Sequence, residues 1–386
     1  MATKSMRRRD FLALTGASIA LAKLGGCASD EARFPEGTLW SAANRIDGSH
    51  HLQAAHLGGT LAVAATLPVR AHASVMRPGG RQMLAVSRRP GTEFFVTDVA
   101  TGEILQTIST PAGRHFLGHG VFDSQGRYFY ATENVFDDAV LPDLTPQDSV
   151  IGVYDAESDY ERVRELPTYG VGAHELLFSS DGRTLIIANG GIYTHPSQPR
   201  EKLNVGTMQP SLVYVDSRDG ALIESHGIDE AQLSIRHLTL APDDTVVFGC
   251  QHAGVSQGPE ALVFAHKLGG QVRALQALDT TWDSFDSYIA SVCVHPESGV
   301  VAATSPIGGL VGFWNLTDGT FLGSSEAIDC AGIAVAQDCL VVTTGIGETL
   351  AFDAYDQSSR GKRSTDDTRW DNHCIVVPGA LKSEYE

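Results

Sequence analysis

The stretch AHELLFSSDGRTLIIAN, Ala173 to Asn189, reads as two short apolar strands joined at Asp181-Gly182, with His174 at the head of the first strand. An Asp-Gly pair between two such runs marks a tight antiparallel hairpin. The unit recurs along the chain. His72 precedes Gly80, His119 precedes Gly126, His174 precedes Gly182 and His237 precedes Asp244, each by seven or eight residues, and His373 takes the same place near the C-terminus. Scattered histidines would not hold one phase, so the repeat is expected to bring side chains from distant parts of the chain into one ring.

Each hairpin is followed by a strand with a polar end: FVTD (95–98), VYD (153–155), YVD (214–216), VFAH (263–266), GFWN (312–315) and AFD (351–353). Their spacing of roughly 40 to 60 residues is that of a β-propeller blade. These make six blades, and a seventh assembles from residues 39–44, 51–56 and 61–67 with residues 373–377. The fold expected is all-β, a seven-bladed β-propeller at residues 39–378 whose ring is closed by N-terminal strands pairing with a C-terminal strand, which leaves no free sheet edge at the closure. Residues 379–386 are read as a tail.

The first residues are a targeting segment. Arg7-Arg8-Arg9-Asp10-Phe11-Leu12 followed by an apolar run fits a twin-arginine export signal at residues 1–26, and Leu24-Gly25-Gly26-Cys27 has the small-residue pattern of a lipoprotein cleavage box. Cys27 is then the lipidated first residue of the mature protein, with residues 27–38 as a linker, and the expected place is the periplasm, anchored to a membrane by lipid. Removing residues 1–26 takes the net charge from −18 to −22, which argues against nucleic acid as a partner. Five further cysteines, at 250, 293, 330, 339 and 374, show no CxxC spacing, so neither a structural zinc site nor covalent haem attachment is indicated.

In a propeller the start of each innermost strand and the end of the next strand share one mouth. The first set is His72, His119, His174, His237, Ser291, Cys330 and His373; the second includes Arg88-Arg89, Glu133-Asn134, Asn189 and Gln251-His252. Three insertions, at residues 136–149, 190–211 and 253–260, fall on the same face and suggest a lid or docking surface. Several imidazoles with a carboxylate or thiolate suit a transition metal such as iron or copper better than calcium or magnesium. Candidate ligands are His72, His119, His174, His237 and His373, with Glu133, His252 and Cys330 as additions. A ring of seven blades is expected to be too wide for all of them to reach one ion. Arg70, Arg114, Arg236, Asn134, Glu175 and Asn189 are candidates for binding an anionic group or holding ligands in place.

The segments LPVRAH (67–72), GRHFLGHG (113–120), ATEN (131–134), GAHE (172–175), ANGGI (188–192), THP (194–196), MQPSL (208–212), LSIRH (233–237) and DNH (371–373) resemble, in order, the pattern of domain-of-unknown-function family 1513, exported propellers similar to the WD40 and YVTN groups. Ala71 departs from it, standing where the pattern usually has Gly. The resemblance implies a neighbourhood of imelysin-like and di-haem peroxidase-like proteins, and hence periplasmic metal uptake. Two other readings stay open. Gly118-His119 and Trp314-Asn315 resemble the structural Gly-His and Trp-Asp pairs of WD40 blades, which would make the histidines part of a hydrogen-bonded scaffold for protein partners. A propeller enzyme of lactonase or oxidase type, with Glu133 and His174 as acid and base, is the third; no GxSxG, HExxH or P-loop motif selects a reaction, and a non-enzymatic role is expected.

Overall fold

Alternating apolar and polar residues broken by Gly and Asp turns give short antiparallel strands, and seven four-stranded sheets arise from them. The computed structural model describes residues 34–378 except 58, 137–145, 199–200, 231 and 255–260. The expected signal, Cys27 and the tail lie outside the described residues, as do parts of all three insertions. No helix among the described residues is long and apolar enough to cross a membrane.

The first blade is made from both ends of the propeller. Thr368–Val377 is its innermost strand and pairs antiparallel with Thr38–Arg45, which pairs with His50–His56 and then Leu61–Leu67. The ring is therefore closed by hydrogen bonds between N- and C-terminal strands, as the sequence suggests. The innermost strands of the second to seventh blades are Ala71–Met76, Arg114–Phe122, Ala173–Phe178, Leu233–Leu240, Ser291–Val294 and Cys330–Ala336.

Apolar faces pack sheet against sheet between neighbouring blades, with Phe94, Phe116, Phe129 and Tyr154 buried together between the second and third. The fifth blade departs from the repeat, because its outermost strand is only Arg273–Ala274. A short helix, Asp279–Ser284, follows it and stacks Trp282 on Trp314 at 5.4 Å, filling space that a longer strand would cover.

Candidate metal centre

The five phased histidines sit on the innermost strands of five consecutive blades, first to fifth, and every one lies at an irregularity in strand pairing. The register shifts between Ala71 and Ser74 around His72, between Phe116 and Gly120 around His119, between Ala173 and Glu175 around His174, and between Ile235 and His237. In the first blade Trp370 and Cys374 flank the shift that contains His373. A bulge inserts an unpaired residue and turns its side chain away from the regular pleat, so the same device is repeated in all five blades. The sixth blade, which has Ser291 at this place, pairs without a shift.

As expected, the five histidines do not all meet at one point but group in threes, and the rings lie close together. Centroids of His72 and His119 are 4.9 Å apart, His119 and His174 4.8 Å, His174 and His237 4.8 Å, and His237 and His373 4.7 Å. His119 and His373, two blades apart, are separated by only 4.6 Å. Bulging at His72, His119, His174 and His373, and at Arg236 beside His237, which itself pairs with Gly249, breaks the regular pleat where the imidazoles gather. Two triads, His72 with His119 and His174, and His119 with His237 and His373, have ligand nitrogens within 4.8 Å of one another. A tetrahedral ion with bonds near 2.0–2.1 Å holds its nitrogens about 3.4 Å apart, a closure within reach of small ring rotations.

Gly118 makes one of these contacts possible. Its φ is +105°, and a Cβ there would stand 2.5 Å from Cδ2 of His72. The glycine before His119 thus serves the histidine of the preceding blade, a role different from the Gly-His pair of a WD40 blade.

Hydrogen bonding of the rings is incomplete. Nδ1 of His72, Nε2 of His119, Nδ1 of His174 and Nε2 of His373 are all buried without a hydrogen-bond partner. Buried polar atoms are nearly always satisfied, so four orphans in one cluster mark a place built for something else. Burial holds His72 down to about 4, with the Asp371 carboxylate opposing it, and drives His119, His174 and His373 well below the ordinary imidazole value. These four rings are therefore neutral, the form that ligates metal.

Two carboxylates steady the ring. Glu175 accepts from Nδ1 of His237 at 3.2 Å and from the Leu238 N–H at 3.1 Å, and its other oxygen lies 3.7 Å from Nδ1 of His119. Asp371, buried, accepts from Nε of Arg70 at 2.6 Å and stands 3.7 Å from Nδ1 of His72. Burial raises Asp371, but His72 and Arg70 outweigh it and hold the carboxyl well below its usual range. Sequence reasoning passed over Asp371, although it stands two residues before His373 in the DNH segment.

The other expected members are elsewhere. Glu133 is buried inside the third blade, accepting from the Tyr154 hydroxyl at 2.7 Å and from Arg162 at 2.9 Å, so it is neither a ligand of the ring nor an acid partner for His174. Cys330 points into the apolar core of the seventh blade, its thiol donating to the Leu310 carbonyl at 3.2 Å, and burial pushes it up to about 12. His252 lies 3.0 Å from Glu230. Arg114 turns outward to Glu165 at 3.3 Å. Asn134 donates to His115 and to the Thr194 carbonyl, bracing the 190–211 insertion, and Asn189 donates to the Thr168 carbonyl. For Glu133, Asn134, Asn189 and His252 this follows from strand alternation: a residue at the end of the second strand faces a neighbouring sheet as readily as the channel.

Arg236 does reach the ring. It lines a cavity of about 80 Å³ with His72, His174, His237, Arg88 and Arg89, and burial followed by the charge of Arg89 pulls it down to about 9. The same two arginines, after burial, lower Lys202 of the insertion.

Residues 65–377 match the family described as Protein of unknown function (DUF1513), and the chain belongs to that family. No curated protein matches it.

Proposed function

We propose that this propeller binds a transition-metal ion, iron or copper, in its histidine ring and serves metal uptake or handling in the periplasm, as a lipid-anchored protein exported through the twin-arginine route. The observation that carries the reading is the set of four buried imidazole nitrogens without hydrogen-bond partners in one ring. Histidines serving only as blade scaffolding would be satisfied by their own sheets, as His115 is by the Phe116 carbonyl and Asn134.

Neutral imidazoles with Glu175 and Asp371 behind them suit borderline and transition ions. Twin-arginine export supports the reading as well, because it carries folded proteins that can load their ion before they cross the membrane.

The test is elemental analysis of protein exported by the twin-arginine route, beside a variant with His119, His174 and His237 replaced by Ala. A stoichiometric iron or copper content that disappears in the variant is expected. A wild-type protein that takes up neither ion under any loading condition would falsify the proposal.

A further inference from the structure

Next to the histidine ring the chain gathers cations, and two of them, Arg89 and Arg236, make no ion pair among the described residues. The cavity of about 80 Å³ shares His72, His174 and His237 with the ring and adds Arg88, Arg89 and Arg236. Arg236 is 6% exposed, and its buried Nε has no hydrogen-bond partner. Arg89, half-buried beside it, makes no ion pair among the described residues. An unpaired buried guanidinium is among the more costly features a fold can carry. This one occurs in a chain with 46 acidic residues, and none of those described lies in salt-bridge reach of it. The two carboxylates nearest the ring are already engaged, Glu175 with His237 and Asp371 with Arg70.

The cavity has a way in. It shares Arg88, Tyr288 and Asn372 with a vestibule of about 450 Å³ that adds Arg70 and Arg369. Pro306, Ile307 and Ala331 of the sixth and seventh blades line that vestibule, on the side of the ring where Ser291 and Cys330 replace histidine. Asp329 lines the same vestibule and Arg70 is held by Asp371, so the way in carries both signs of charge, and the cations without an ion pair, Arg89 and Arg236, lie beyond it in the cavity.

We infer that Arg89 and Arg236, in the cavity that Arg88 also lines, form a binding site for a small oxyanion of the carboxylate or phosphate class, placed so that the bound anion touches the histidine ring. Guanidinium forks match the paired oxygens of such anions, and Gln251 and Tyr288 add polar groups to the same cavity. The anion site stands on the arginines alone. Its use as the second half of a metal complex, with the anion neutralising the arginines while its cation meets the imidazoles, rests on the metal reading proposed above.

The experiment uses full-length mature protein stripped of metal and then freed of chelator by gel filtration. Inorganic phosphate and citrate are titrated into wild type, Arg89→Gln, Arg236→Gln and His119→Ala, with heat of binding as the readout. Wild type is expected to bind at least one of them, and each arginine variant to weaken that binding about tenfold or more, the loss typical of a hydrogen bond to a charged partner. Preference for citrate identifies a carboxylate ligand and preference for phosphate a phosphate-class one; either supports the site. No heat from either anion at millimolar concentration overturns it, as does binding unaffected by Arg89→Gln, a half-buried position whose variant is expected to fold even where Arg236→Gln does not. His119 does not line the cavity, so His119→Ala separates the two readings: anion binding is expected to survive in it when metal binding is lost.

Discussion

Glu175 of the fourth blade holds His237 of the fifth, its Oε2 accepting from Nδ1 at 3.2 Å. That bond fixes the tautomer and leaves Nε2 as the free nitrogen of His237. Its second oxygen stands 3.7 Å from His119, so one carboxylate addresses both triads. Removing a group of this kind typically costs a metal site ten- to a hundredfold in affinity. Glu175→Ala is expected to lose about that much, and Glu175→Gln, which keeps an acceptor oxygen without the charge, to lose less. Competition titration against a chromophoric chelator measures both. Equal affinity in wild type and Glu175→Ala would mean that the carboxylate does not orient the ligands.

Glu133 separates stability from binding. Its carboxylate is fully buried between Tyr154 and Arg162, and Gly152 leaves room for it, since a Cβ there would stand 1.8 Å from Oε1. Glu133→Ala takes one carboxylate from Arg162, which keeps Glu165 at 2.7 Å, and leaves the buried Tyr154 hydroxyl without its acceptor. A loss of about 1–3 kcal/mol is expected from leaving a buried donor unsatisfied. Urea unfolding should show it, while the metal content of the folded fraction stays that of wild type. Metal lost from a folded Glu133→Ala protein would reinstate Glu133 in the site.

The contrast between Glu133 and Glu175 shows how far the sequence can be read. The phase of the histidines was legible because a propeller repeats its strands, and turns such as Asp181-Gly182 locate them. The ring closure was legible for the same reason. Which carboxylate meets the ring was not, because a shift of one residue at a bulge reverses the face a side chain takes. Glu133 and Glu175 each stand beside a strand residue of the mouth set, yet one serves its own blade and the other reaches the next. Asp371 had a signal in its neighbour His373 and in the Arg70 that precedes His72, but only the fold brings the two ends of the chain together.

Protonation should act on the fold before it acts on the ring. Burial holds His115 and His72 down to about 4, below the ordinary imidazole value near 6.5. The folded state therefore refuses protons that the unfolded chain takes up as pH falls below 6.5. Stability is fully present above that value and is lost between pH 6.5 and about 4, on the order of 3 kcal/mol for each such group. Thermal unfolding at a series of pH values should be level above 7 and fall steeply below 6. His115→Gln should flatten part of the slope, since His115 is buried with a satisfied ring outside the metal centre. Because His72, His119 and His174 stay neutral, the affinity of a metal held by their triad should change little between pH 7 and 5.5, where exposed imidazole ligands would already be losing to protons. A steep loss of metal over that range with the fold intact would contradict the burial argument.

Gly118 and Gly182 provide a matched pair for the geometry of the ring. Both have positive φ, +105° and +65°, so an alanine at either is strained by its backbone. They differ in what a Cβ would meet: 2.5 Å from Cδ2 of His72 at Gly118, and nothing nearer than the Ser124 hydroxyl at 3.7 Å at Gly182. Gly182→Ala should cost about 1 kcal/mol of stability and leave metal binding alone. Gly118→Ala should cost more, roughly 1–3 kcal/mol, because it overpacks a well-filled place. It should also push His72 out of its triad with His119 and His174, whereas the second triad, whose His373 ring lies 4.6 Å from that of His72, loses no ligand. If the ion sits in the first triad, affinity falls about tenfold or more in Gly118→Ala alone. If the second triad holds it, Gly118→Ala binds as wild type does and His373→Ala takes the loss instead. A protein in which neither change weakens the metal would place the ion outside both triads.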